Sequence, residues 1–139
     1  MPLIGRKKVD EALNKMVQKK NKQVRAVAIQ TFQDIAFRTP VDTGRARKGW
    51  LLSMGTPNLA GKGGGITQAR KVPKFILGKT VYFSNGVEYI ETLERGRRLR
   101  KRTKRESKGS ALVEVGSKQA PRGMVRIALR NAQKRLRQL

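Results

Sequence analysis

The chain has 139 residues, enough for one domain with a modest core. It contains neither cysteine nor histidine, which excludes disulfides and thiolate sites and removes the commonest general base and metal ligand. It has 33 Lys+Arg against 9 Asp+Glu, a net charge of +24, far more than solubility requires. Such an excess repels itself in a compact state and favours polyanionic partners, nucleic acid first and an acidic protein second.

Residues 6–38 predict a long helix. Val9, Leu13, Met16, Val17, Val24, Val27, Ala28, Phe32, Ile35 and Ala36 recur mostly in steps of three and four and form one apolar stripe. Lys15, Lys19, Lys22 and Arg25 lie on the other side, and Lys20-Asn21 interrupts the stripe, marking a bend or break. The N-terminal apolar stretch is too short for a secretory signal, and no run of about 18 apolar residues exists to span a membrane. Synthesis in the cytoplasm is the expectation.

Pro40 stops the helix and pushes Thr39 into an extended conformation. Asp42 suits an Asx-turn or an N-cap, Gly44 suits a positive φ, and Arg45 stands within ion-pair reach of Asp42 if the turn is helical. Trp50 opens an apolar run, Trp50-Leu51-Leu52, read as the first strand. Nothing here resembles a nucleophile–base pair, so the segment reads as a helix-to-strand joint.

Residues 55–74 carry Gly55, Pro57, Gly61, Gly63, Gly64, Gly65 and Pro73 and read as a mobile loop, one that orders against a neighbouring subunit or DNA. Its Gly61–Gly65 run lacks the Gly-Lys-Ser/Thr ending of a phosphate loop. Residues 75–84 read as two short strands split at Gly78. Asn85-Gly86 marks a turn, and Val87–Glu94 has the spacing of a short helix.

Arg95, Arg97, Arg98, Arg100, Lys101, Arg102, Lys104, Arg105 and Lys108 are opposed only by Glu106 between residues 95 and 108. This block cannot pack as core and predicts a projecting loop or hairpin tip, with Ala111–Val115 as the returning strand. Pro121 begins a final helix to about Gln138, with an apolar stripe of Val125, Ala128, Leu129, Ala132 and Leu136. Beside it runs a basic stripe of Arg122, Arg126, Arg130 and Lys134. The cationic C-terminal residues suit the helix dipole, but Arg122 and Arg126 lie at the opposite end. The fold class is α+β: a long N-terminal helix, a small mostly antiparallel sheet with an extended basic hairpin, and a C-terminal helix.

Three blocks together resemble the tail-completion family of long-tailed bacteriophages, the minor-tail and head–tail joining proteins. They are Thr39-Pro40-Val41-Asp42-Thr43-Gly44-Arg45 running on to Trp50, then Val81–Ile90 followed by Leu93-Glu94-Arg95-Gly96, then Ser117-Lys118-Gln119-Ala120-Pro121-Arg122-Gly123-Met124-Val125. The resemblance implies that Pro40, Asp42, Gly44, Arg45, Trp50, Glu94, Gly96 and Pro121 are scaffold positions. It also implies a virion protein at the tail or head–tail interface, ringed around the DNA path and touching neighbouring neck and tail proteins. A hexamer is favoured and a dodecamer is the alternative. In the family the second block runs almost directly into the third; here residues 97–116 intervene, a basic hairpin inserted within a single domain of residues 1–139.

The expected partner is double-stranded DNA, bound without sequence preference through Arg95, Arg97, Arg98, Arg100, Lys101, Arg102, Lys104, Arg105, Lys108, Arg122, Arg126 and Arg130. Seven aromatics, most of them in apolar runs, leave few platforms for stacking single strands. No catalytic residue, metal, cofactor or membrane partner is expected. The alternative is a stand-alone nucleic-acid-binding protein, nucleoid-like or ribosome-associated, which has no reason to carry the second and third blocks. An enzyme ranks third: Asp42, Glu88, Glu91 and Glu94 would have to form a nuclease metal site, and Glu91 and Glu94 are more simply partners of nearby arginines.

Overall fold

A computed structural model describes residues 4–41, 43–60, 63–100, 112–115, 119–120 and 122–139. The fold is α+β. The order is α1 (Ile4–Arg38), α2 (Arg45–Lys48), β1 (Trp50–Met54), a 3-10 helix (Ile66–Lys71), β2 (Val81–Asn85), α3 (Ile90–Arg95), β3 (Arg97–Arg100), β4 (Leu112–Val115) and α4 (Val125–Arg137). Among the described residues the strands form two antiparallel pairs, β1 with β2 and β3 with β4. Trp50 lies opposite Asn85 in the first pair, and Arg97 opposite Val115 in the second.

The core lies where the C-terminal half of α1 meets β1, β2, α3 and α4. Phe32 stacks on Phe83 at 4.6 Å between ring centroids, and Phe83 stacks on Trp50 at 5.1 Å. Ile35, Trp50 and Ala128 are buried around this stack. A second patch contains Ala46, Leu93, Ala120 and Met124, and Ile90 packs against both.

α1 does not break at Lys20-Asn21; it is one continuous helix. Asn21 interrupts the stripe because it is buried against residues 74–77. Its side chain donates to the Lys74 carbonyl (2.6 Å) and accepts from the Ile76 and Leu77 amides (2.8 and 3.3 Å). A buried amide satisfied this fully fits a helix interior without cost to the helix ladder.

The apolar stripe of α1 divides at this point. Val27, Ile35 and Ala36 are buried, whereas every residue from 5 to 20 is exposed. At 1.5 Å per residue, that arm is about 24 Å long.

Three further expectations are corrected. Residues 75–80 form no strand: Gly78 lies in a turn at φ 74°, with the Lys79 amide on the Ile76 carbonyl (3.0 Å), so only β2 remains of the expected two. The glycine-rich segment is not a loop awaiting a neighbour over its whole length. The Gly64 and Gly65 amides donate to the Lys48 and Trp50 carbonyls (2.9 and 2.7 Å), and the 3-10 helix that follows buries Gln68 and Ala69. In α4 the buried face is Ala128 and Ala132, while Leu129 and Leu136 are exposed.

Candidate nucleic-acid interface and the joints that position it

The Thr39–Trp50 segment is a joint built from hydrogen bonds. The Thr39 hydroxyl donates to the Ile35 carbonyl (2.8 Å), and its oxygen accepts from the Trp50 indole N–H (2.8 Å). Thr39 and Trp50 are both buried, so this pair fixes the angle at which strand β1 leaves α1. Gly44 adopts φ 79° as expected and occupies the N-cap position of α2, the place considered for Asp42, which lies outside the described residues.

Arg45 is exposed, and the arginine that does the bonding is Arg47. Its guanidinium donates to the carbonyls of Thr39 (3.2 and 3.0 Å) and Phe37 (2.9 Å), satisfying acceptors that the end of α1 leaves open. Asn85, from the second block, ties the far side: its amide donates to the Ala46 carbonyl (2.7 Å) and its oxygen accepts from the Val87 amide (3.0 Å).

Glu94 and the Gly123-Met124-Val125 run form one device. The Glu94 carboxylate accepts from the amides of Met124 (2.6 Å), Val125 (2.9 Å) and Arg126 (3.1 Å), and from the Arg126 guanidinium at 3.2 Å. A residue from α3 thus caps the N-terminus of α4, which has no side-chain cap of its own. Burial pushes the Glu94 carboxyl up, but the three amides and Arg126 outweigh it and hold it below the usual carboxylate range. Gly123, at φ 77°, makes room: a Cβ there would lie 2.7 Å from a Glu94 carboxylate oxygen.

This device changes the basic stripe of α4. Arg126 also donates to the Glu94 carbonyl at 2.6 Å, so its guanidinium serves the α3–α4 joint before any external phosphate. Arg122, Arg130 and Lys134 are exposed. Arg135 turns inward to Asp34 at 3.4 Å, and Lys20 reaches the Leu139 carbonyl at 2.7 Å, so α4 is held against α1 by its unstriped side.

Of the expected hairpin contacts, Arg97, Arg98 and Arg100 lie on β3, paired with β4. Lys101, Arg102, Lys104, Arg105 and Lys108 lie outside the described residues, as does Pro121. Arg95 pairs with Glu91 at 3.3 Å, both side chains largely exposed, a contact worth little in water. Gly96 ends α3 with φ 81°.

Of the carboxylates considered for a metal, Asp42 lies outside the described residues and the other three are not brought together: Glu91 faces Arg95, Glu94 faces α4, and Glu88 is exposed. Among the described residues no group of three or more Asp and Glu is placed to hold an ion. Nor is any helix among them long and apolar enough to cross a membrane.

Asn21, Thr39 and Arg47 carry joints that sequence reasoning passed over. The signal for Asn21 was present as a polar residue inside an apolar stripe; Arg47 had none beyond its place in a basic run. No family model matches the chain, and neither curated proteins nor solved structures give a match.

Proposed function

We propose that this chain is a structural virion protein of a long-tailed phage, completing the tail or joining head to tail as a ring around the DNA path. The observation that carries this reading is the arm of α1. Val9, Leu13, Met16 and Val17 stand 44–62% exposed, with none of the described residues covering them. A contiguous apolar stripe of this kind marks a contact surface. A head-to-tail contact repeated by rotation closes into a ring, and each arm then lies on the next copy.

The charge supports the second half of the proposal. A +24 subunit repeated around a ring sets up a field that a duplex neutralises. Arg122, Arg130 and Lys134 on α4, with the arginines of β3, are the groups assigned to phosphates without base readout.

Light scattering and electron microscopy of the purified chain test the reading. Closed rings are expected for the native sequence and monomers for Leu13→Asp/Met16→Asp. A native chain that stays monomeric at every concentration, and joins no particle, overturns it.

A further inference from the structure

We propose that the cleft between α1 and residues 72–74 is a docking pocket for an acidic peptide segment carrying an apolar side chain. The cleft is open to solvent on one side, holds about 360 Å³ and is lined by Lys22, Arg25, Ala26, Ile29 and Lys74. That volume falls within the range of pockets that hold small ligands. The inference stands apart from the ring reading, since it requires neither the arm nor the α4 stripe.

The pocket is preorganised. Arg25 donates from Nε to the Pro73 carbonyl (2.9 Å) and from Nη2 to the Val72 carbonyl (3.1 Å), which fixes its guanidinium plane and leaves Nη1 for a ligand. Asn21 locks the opposite wall through Lys74, Ile76 and Leu77. Binding therefore orders little that is not already ordered, which conserves affinity.

The chemistry of the lining selects the ligand. Among the described residues three cations line the cleft and no carboxylate does, so an anion relieves their mutual repulsion. A fixed guanidinium suits a carboxylate's paired oxygens. The remaining lining, Ala26 and Ile29, is apolar. A phosphodiester backbone would leave that floor wet, whereas a leucine-like side chain beside a glutamate covers it while its carboxylate meets Lys22, Arg25 or Lys74.

Three of the six acids whose side chains are described are already engaged within the chain. Glu91, Glu94 and Asp34 are already paired with arginines, which leaves Asp10, Glu11 and Glu88 as the other described acids whose side chains are placed.

The test is an amide and arginine Nε–H titration of the ¹⁵N-labelled full chain with an acetylated Glu-Leu-Glu-Glu-Leu-Glu peptide. Saturable shifts at Lys22, Arg25, Ile29 and Lys74 are expected. Lys22→Glu/Lys74→Glu should weaken binding by about tenfold or more, and Ile29→Ala by about fivefold, with the rest of the spectrum unchanged. Part of the binding should survive about 0.3 M salt, where rim attractions are screened.

Several results overturn the proposal. Hexaglutamate binding equally well would leave only an electrostatic surface. The same residues responding to duplex DNA but not to the peptide would make it a nucleic-acid site. Shifts that grow with protein concentration alone would assign the pocket to a second copy, and the absence of saturable shifts would remove it.

Discussion

Glu94 is the most direct place to test how the third block is held. In Glu94→Ala the first turn of α4 loses its acceptor for three amides and a partner for Arg126. Loss of a helix cap costs about 1–2 kcal/mol. The Arg126 side chain is 59% exposed, so solvent screening limits its charge term to about 0.5 kcal/mol. Glu94→Ala should therefore cost about 2 kcal/mol and lower Tm by roughly 6–8 °C for a chain of this size.

Glu94→Gln keeps one acceptor oxygen and should cost about half as much. Because the folded carboxyl holds its proton less readily than the unfolded one, its contribution is complete above the ordinary glutamate pKa. It is lost as pH falls through the lower folded value. The Tm gap between native chain and Glu94→Gln should therefore be widest near neutrality and shrink in acid. Circular-dichroism melts across pH measure the gap, and the Met124 and Val125 amide shifts report the titration. A gap that stays constant with pH, or an Ala variant as stable as the native chain, refutes this account of the joint.

Asn21→Ala leaves the Ile76 and Leu77 amides and the Lys74 carbonyl without their partner and should cost about 2–3 kcal/mol. Hydrogen exchange should show protection lost first at Ile76, with α4 little affected. Thr39→Val preserves shape but strands the Trp50 indole N–H, for about 1–3 kcal/mol and a changed tryptophan fluorescence; unchanged emission would contradict the buried bond. Arg130→Ala/Lys134→Ala should lower the slope of log affinity for duplex DNA against log salt by about 1–2, whereas Glu91→Ala should leave it nearly unaltered.

The parts of the fold legible in the sequence were those written in period or turn chemistry. The end of α1 before Pro40, the strand opening at Trp50, the positive φ of Gly44, a short helix within the stretch after Gly86 and the body of the final helix follow from local rules, although α3 starts at Ile90 rather than Val87 and α4 at Val125 rather than Pro121. What local rules missed was the meaning of polar residues at long range. Asn21 meets its partners 53 to 56 residues away and Glu94 meets the α4 amides 30 to 32 residues away, distances over which no periodicity speaks. The same blindness counted Arg126 among phosphate contacts when it also braces Glu94. The period of α1 identifies its stripe as apolar, but whether a stripe is covered depends on which distant segments pack beside it.

The arm of α1 also has a thermodynamic character of its own. Nucleating a helix is the costly step, and here the packed turns beyond Asn21 have already taken it, so the arm only propagates. Its order then rests on side-chain propensity alone, and amide protection should decline steadily from Asn21 toward Gly5. Any surface that settles on Val9, Leu13 and Met16 would extend a template already in place. Its association would register as a rise in amide protection from Gly5 to Lys20, with no change in the body.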